Sequence, residues 1–268
     1  MIEKPFKLAL VQMKVTGGER AENLKRAEKR IDEAAAHGAE VVLLPEAMDL
    51  GWTHPSALSE AQPSPGGETC QIVMQKAKQH RIYICAGLVE RAGETVYNSA
   101  VLINPQGEII LKHRKINELD IGRTYYALGD RLGVVKTDRA TFGLMICADA
   151  IADGQVLTRS LGHMGADVIL SPCSWAVPAD YNNKKVPYGG LWKNAYSPAA
   201  KDFSMWIAGA SNVGWLSDGP WKGWKGIGNS LVINPEGEAV LWGPHGEEAE
   251  NILYVDIEPM VLSAYDED

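Results

Sequence analysis

The sequence predicts an α/β fold. Short apolar runs typical of buried strands alternate with segments in which apolar residues recur every three to four positions, as in a helix. The two halves also share a turn, because Asn104–Gly107 (NPQG) recurs as Asn234–Gly237 (NPEG) between apolar runs. Asn-Pro-x-Gly is typical of a hairpin, since proline presets φ and glycine takes the positive-φ position. The echo suits two similar sheets, although a common turn used twice explains it equally well.

The first half of the chain is predicted to open with a strand at Lys7–Met13. A helix follows over Asn23–His37, where Gly38 provides the stop. The run Val41–Leu44 is predicted to be a buried strand, and a loop rich in Gly, Pro and Ser precedes a helix at Glu68–His80. The remaining strands predicted in this half are Ile82–Val89, Val96–Ile103, Glu108–His113, Val134–Thr137 and Thr141–Met145.

The second half is predicted to contain two helices, at Gly154–Met164 and Leu191–Asp202. Its predicted strands are Asp167–Ser171, Met205–Ser211, Ile227–Ile233, Glu238–Leu241 and Ile252–Asp256. No low-complexity linker divides the sequence, so we predict one domain over residues 1–268.

Composition argues against several classes of partner. The 268 residues carry a net charge of −8 with no long basic run, so neither nucleic acid nor an anionic membrane surface is an expected partner. No apolar stretch is long enough to span a bilayer, and the N-terminal apolar run is too short for a signal peptide. The four cysteines lack CxxC spacing, so we expect no metal site, no disulfide framework and a reducing, cytoplasmic environment.

Three predicted strands end in side chains suited to catalysis. Glu46 follows Val41–Leu44, Lys115 follows Glu108–His113, and Cys147 follows Thr141–Met145. A sharp turn from a strand into a helix exposes a cysteine sulfur, and helix N-terminal amides stabilise a thiolate or an oxyanion. A cysteine in an apolar run is more often a core residue when it stands alone. The carboxylate and the ammonium group at matching strand ends favour the catalytic interpretation.

In this order and spacing, Glu46, Lys115 and Cys147 resemble the catalytic Glu-Lys-Cys set of the nitrilase superfamily of carbon-nitrogen hydrolases. The resemblance runs from the strand at Leu8 to the strand at Tyr254. It implies a four-layer αββα sandwich of two mixed β-sheets flanked by helices. It also implies a homodimer or a larger homo-oligomer.

The resemblance further implies a role for each residue. Cys147 would attack the substrate carbon to form a thioester, with Glu46 as the general base and Lys115 and the backbone N–H of Ala148 stabilising the oxyanion. No metal or organic cofactor is implied. The expected substrate is a small amide; a nitrile or an N-carbamoyl compound would suit the same triad. An inactive relative that only binds is a further alternative.

Two positions depart from the family pattern. Many relatives carry a second glutamate where this chain has Gly122, so Glu118 either supplies that carboxylate from another loop position or is a solvated loop charge. Ala148 stands where relatives usually have a large aromatic residue, which would widen the pocket beside Cys147. Asp149 matches an acidic residue of the family and is interpreted as structural, and His113 as a packing or hydrogen-bonding residue.

The segment between Cys173 and Tyr196 is predicted to determine specificity. Its aromatic residues, Trp175, Tyr181, Tyr188 and Trp192, are suited to an apolar acyl pocket or to an oligomer interface. A second aromatic group, Trp215, Trp221 and Trp224, allows the same two interpretations. Lys184 and Lys185 either bind a substrate carboxylate or are ordinary exposed lysines.

Overall fold

The computed structural model describes residues 5–259 and follows the predicted order of elements closely. The elements of the first half are β1 (Phe6–Gln12), α1 (Arg20–Ala36), β2 (Val41–Leu43), α2 (Ser56–Glu60), α3 (Glu68–His80), β3 (Tyr83–Ala92), β4 (Thr95–Ile103), β5 (Ile109–Arg114), β6 (Val134–Lys136) and β7 (Thr141–Leu144). Those of the second half are α4 (Val156–His163), β8 (Val168–Cys173), β9 (Ala176–Val177), α5 (Gly189–Phe203), β10 (Trp206–Ser211), β11 (Val213–Trp215), β12 (Lys225–Ile227), β13 (Leu231–Ile233), β14 (Ala239–Trp242) and β15 (Asn251–Ile257).

The strands form two six-stranded mixed sheets and one small sheet. The first sheet has the order β15-β1-β2-β3-β4-β5, and the second has the order β14-β13-β10-β8-β7-β6. In each, a central parallel group (β1, β2 and β3, or β7, β8 and β10) is extended by antiparallel strands. The small sheet has the order β11-β12-β9.

The alternation of side chains along β1 shows how the layers are built. Phe6, Leu8 and Leu10 belong to the core between the two large sheets, whereas Ala9 and Val11 belong to the core beneath the helices. Helices α1 and α3 pack on the outer face of the first sheet, and α4 and α5 cover the second. This arrangement confirms the αββα sandwich. No helix among residues 5–259 is both long and apolar enough to cross a membrane.

The repeated Asn-Pro-x-Gly turn joins corresponding strands of the two sheets. The first copy connects β4 to β5, and the second connects β13 to β14. In each turn the glycine N–H donates to the asparagine carbonyl at 2.9 Å, and φ is 80° at Gly107 and 79° at Gly237. Each turn also packs on a helix of its own half, α3 or α5. The echo in the sequence therefore corresponds to two similar sheets.

The prediction of one strand over Ile227–Ile233 is wrong. Residues Lys225–Ile227 belong to the small sheet, whereas Leu231–Ile233 belong to the second large sheet. Between them Gly228 and Asn229 both have positive φ, at 60° and 62°, which ends a strand. A Cβ at Gly228 would also clash with the side chain of Gln12, which caps the break by accepting hydrogen bonds from Ser230.

Candidate active site

The residues predicted at three strand ends meet at one cavity. Glu46 follows β2, Lys115 follows β5 and Cys147 follows β7, and all three line the same cavity. The volume of this cavity is about 540 Å³ when its open mouth is included. Backbone bonds to neighbouring strands fix each position. The Glu46 N–H donates to the Cys173 carbonyl at 3.2 Å, the Lys115 N–H to the Asn98 carbonyl at 2.9 Å, and the Cys147 N–H to the Ser171 hydroxyl at 3.2 Å.

Lys115 lies between two carboxylates. Its buried Nζ donates to Glu46 Oε1 at 2.8 Å and lies 3.1 Å from Glu118 Oε1, with the ring of Trp52 5.3 Å away. Burial opposes the charged form, but the charges of Glu46 and Glu118 outweigh it and raise the pKa of Lys115 well above its ordinary value. The side chain is therefore a fixed positive charge.

Glu46 has one engaged and one free oxygen. Oε1 accepts from Lys115 and, at 2.7 Å, from Asn98 Nδ2, while Oε2 is shielded from solvent and has no hydrogen-bond partner in the described protein. Burial raises the pKa of Glu46, with a contribution from the charge of Glu118, against the opposing attraction of Lys115. Such a carboxylate is positioned to accept a proton through Oε2.

Glu118 belongs to this cluster, so the alternative of a solvated loop charge is wrong. The residue is 1% exposed. Its carboxylate accepts from the Leu119 N–H at 3.0 Å and from Asn98 Nδ2 at 3.1 Å. A Cβ placed at Gly122 would lie only 2.6–2.8 Å from the carboxyl and Cγ atoms of Glu118. The space that a side chain at position 122 would need is thus filled by Glu118.

Cys147 stands at a strained turn between β7 and a short 3₁₀ helix, Cys147–Ile151. Its φ of 44° is uncommon for any residue except glycine and is typical of functional turns. Burial, a hydrogen bond with the Cys173 thiol and the charge of Glu46 raise the thiol pKa well above its ordinary value, outweighing Lys115. The resting sulfur is therefore protonated and requires a base. Ala148 is the second residue of the 3₁₀ helix, where an N–H lacks an intrahelical acceptor.

Asp149 holds the turn at Cys147 against the loop that carries Lys115. Its Oδ2 accepts from the Ile146 N–H at 2.9 Å, and its Oδ1 accepts from the N–H groups of Ile116 and Asn117 at 3.0 and 2.8 Å. His113 Nε2 lies 2.7 Å from Oδ2. Burial opposes ionisation, but the bond to His113 and the backbone N–H groups lower the pKa of Asp149. Both residues therefore have structural contacts of the kind the sequence predicted.

Three of the four predicted specificity residues line the cavity. Trp175 and Trp192 are stacked, with ring centroids 4.8 Å apart and planes at 15°, and Tyr188 lies beside Trp175. Tyr181 requires a correction, because it does not line the cavity. Its ring packs edge-on against Tyr188, and its hydroxyl donates to the Val186 carbonyl at 2.6 Å. Tyr181 thus lies behind the wall.

Sequence reasoning missed Asn98 and Trp52 and left Trp221 undecided. Asn98 interrupts the apolar strand β4, and that buried polar position was the one local signal for it. Trp52 and Trp221 line the cavity with ring centroids 5.0 Å apart, and Trp224 stacks on Trp221 from behind. Because these residues come from loops distant in sequence, only the fold shows that they share a site.

The comparisons with known proteins point to one family. The profile of the family described as carbon-nitrogen hydrolase matches residues 7–266. A protein named nitrilase from Pyrococcus abyssi is 32% identical over 94% of this chain and 90% of its own length. The omega-amidase NIT2 of Danio rerio is 29% identical over 96% of this chain and 90% of its own. In structure, Saccharomyces cerevisiae Nit3, a nitrilase-superfamily member, matches with a TM-score of 0.80 at 24% identity, covering 96% of this chain and 92% of Nit3.

Proposed function

The chain belongs to the carbon-nitrogen hydrolase family, and from that premise we propose that it hydrolyses a small amide through a thioester on Cys147. Glu46 acts as the base and Lys115 stabilises the oxyanion. The observation that carries the proposal is that Glu46, Lys115 and Cys147 line one cavity, where Glu46 is paired with Lys115 and its Oε2 has no hydrogen-bond partner among the described residues. Side chains suited to act as nucleophile, base and oxyanion stabiliser thus share one site.

In the first half-reaction the thiol proton moves to Glu46 as sulfur attacks the amide carbon. The carbon–sulfur bond forms, and the carbonyl electron pair moves to oxygen, where Lys115 and the Ala148 N–H stabilise the negative charge. When the oxyanion collapses, the carbon–nitrogen bond breaks and Glu46 returns its proton to nitrogen. Ammonia or an amine leaves, and the acyl group remains on Cys147 as a thioester.

In the second half-reaction water releases the acid. Glu46 removes a proton from water, the oxygen attacks the thioester carbon, and Lys115 and Ala148 again stabilise the oxyanion. The carbon–sulfur bond then breaks, and the proton on Glu46 passes to the sulfur. The net change is amide plus water to carboxylic acid plus ammonia or amine, with the enzyme regenerated.

Glu118 is assigned the function of the second glutamate of the family, supplied from a different loop position. It holds the far side of Lys115 and shares Asn98 with Glu46, so it fixes the cation and the base relative to each other. Its negative charge also contributes to the raised pKa of Glu46. Glu118 is therefore a positioning residue.

The alternative substrates differ in what they require of the cavity. A nitrile would use the same triad and release the same products, so the site does not separate it from an amide. An N-carbamoyl amino acid would require a second cation for its carboxylate, and among the described residues lining the cavity only Lys115 is cationic. This observation favours the amide. The expected reducing environment and homo-oligomer remain predictions.

The proposal is tested by intact-mass spectrometry of the wild-type protein and of Cys147→Ala after brief exposure to small amides and nitriles, with ammonia release followed in parallel. We expect an acyl adduct and ammonia from the wild type, and neither from Cys147→Ala at unchanged melting temperature. Ammonia release by the variant at a rate near that of the wild type would disprove the nucleophile assignment.

A further inference from the structure

Building on the proposed hydrolase function, we infer that the substrate is an uncharged amide with an aromatic or similarly bulky apolar acyl group. The inference rests on the charges and the aromatic side chains around the cavity at Cys147. It excludes amides that carry a carboxylate on the acyl group.

The charged side chains of the cavity are already paired with each other. Among the described residues that line it, only Glu46 and Lys115 are charged, and they are paired at 2.8 Å. Lys115 also faces Glu118 at 3.1 Å, so two carboxylates surround this single ammonium group. A carboxylate on the substrate would enter a buried site with surplus negative charge and lose its hydration without a cationic partner.

Cations near the mouth are also engaged or directed elsewhere. Lys184 and Lys185 are exposed and do not line the cavity. Arg123 donates to the Glu118 carbonyl at 3.3 Å and lies 3.6 Å from the carboxylate of Asp120. An adjoining cavity that shares Trp52 and Ser174 is lined by Asp218, whose carboxylate lies 3.9 Å from the exposed Lys222, and by His54, whose pKa is lowered by burial. Among the described residues, no cation other than Lys115 therefore lines the cavity.

Aromatic and aliphatic side chains account for most of the remaining wall. One aromatic group consists of Trp175, Tyr188 and Trp192, and a second consists of Trp52 and Trp221. Leu191, which is 50% exposed, stands at the mouth. Flat indole and phenol faces are suited to an aromatic ring or a branched alkyl group, because such groups gain from both burial and ring stacking.

The cavity has room for a substituent beside the nucleophile. Its volume is about 540 Å³ when the open mouth is included. Ala148 lines the cavity where relatives usually have a large aromatic residue, so space remains beside the nucleophile. A substrate as small as acetamide would leave most of the apolar wall uncovered.

Binding to Cys147→Ala tests the inference separately from turnover. Titration calorimetry would compare para-methylphenylacetamide, its para-carboxylate analogue and acetamide, of which the first two differ only in the charged group. We expect the carboxylate to bind about tenfold more weakly than the methyl compound or worse, and acetamide about thirtyfold more weakly or worse. Equal or tighter binding of the carboxylate, or no binding of the methyl compound, would overturn the inference.

A variant that adds a positive charge at the mouth of the cavity, compared with an uncharged variant at the same position, provides a further test. In the Cys147→Ala background, Leu191→Arg should tighten binding of the carboxylate about fivefold or more, whereas the uncharged control Leu191→Gln should not. If both variants bound the carboxylate compound more tightly, the inference would be overturned, because the lack of a second cation would then not be what weakens its binding.

Ammonia release by the wild-type enzyme from the same compounds separates the two proposals. Tight binding of the methyl compound to Cys147→Ala without turnover by the wild type would disprove the hydrolase function and leave the assignment of the cavity standing.

Discussion

Glu46 and Glu118 are chemically identical side chains that face the same ammonium group, yet their surroundings differ. Both are buried and both accept a hydrogen bond from Asn98, and Lys115 Nζ lies 2.8 Å from Glu46 Oε1 and 3.1 Å from Glu118 Oε1. Glu118 has an additional bond from the Leu119 N–H, whereas Glu46 Oε2 has no hydrogen-bond partner within residues 5–259. The difference favours the proposal that hydrogen bonding, rather than residue type, divides the two carboxylates into a base and a support. A saturated carboxylate holds its neighbours in place, and an unsaturated one can take a proton.

The largest effect on kcat is expected when each of the two glutamates is replaced by glutamine, which has nearly the same shape but no charge. Glu46→Gln removes the proton acceptor and should lower kcat by about a thousandfold. Glu118→Gln should lower it by about a hundredfold or less, because it disturbs the placement of Lys115 but leaves the base. Steady-state kinetics on the same amide would measure both, with melting temperatures as the check on folding. Equal losses would contradict the division of roles.

A second prediction uses the contact between Glu118 and Gly122. The methyl group of Gly122→Ala would displace the Glu118 carboxylate, so we expect about a tenfold loss of activity and about 1–3 kcal/mol of stability. In a Glu118→Ala background the same substitution has room and should cause no further loss.

Gly190→Ala is the matched control for the Gly122→Ala variants, since a Cβ at Gly190 meets nothing within 4 Å. Kinetics and thermal unfolding of the single and double variants would measure the coupling between positions 118 and 122. Additive losses would show that Glu118 does not depend on the space at Gly122.

The smallest expected effect is a change in the pH dependence of activity. Glu46 must be ionised to act as a base, and its pKa is raised by burial and by the charge of Glu118. Activity should therefore rise with pH through a midpoint above the ordinary glutamate value. Glu118→Gln removes a negative charge, which favours ionised Glu46, so the acid limb of kcat/KM should move to lower pH.

The matched control is Asp120→Asn, which removes a charge from the same loop at a site whose side chain is 95% exposed. Its pH profile should coincide with that of the wild type, because solvent screens the lost charge. A limb that does not move in Glu118→Gln, or that moves to higher pH, would mean that Glu118 does not influence the base.

Most of the fold was predictable because its signals are local. Successive side chains of a strand point to opposite faces, so His113 and Lys115 share one face of β5 and its extension while Lys112 and Arg114 share the other. In the structure the first pair is buried and the second pair binds Glu90. Prediction was wrong at Ile227–Ile233, where a break at which Gln12 accepts hydrogen bonds from Ser230 divides the predicted strand between two sheets. Such a contact lies far outside any local sequence window.

The same distinction between local sequence signals and contacts of distant segments applies to the candidate site. From the sequence by itself, periodicity predicted an α/β fold and strand ends at Glu46, Lys115 and Cys147, because both signals are properties of neighbouring residues, and the family resemblance implied the αββα arrangement. Only the tertiary structure decided that Glu118 fills the space at Gly122, that Asn98 links the two carboxylates, and that Tyr181 lies behind the cavity wall. Those outcomes depend on which distant segments share a buried space, and packing, burial and charge act there through distances that sequence order does not contain.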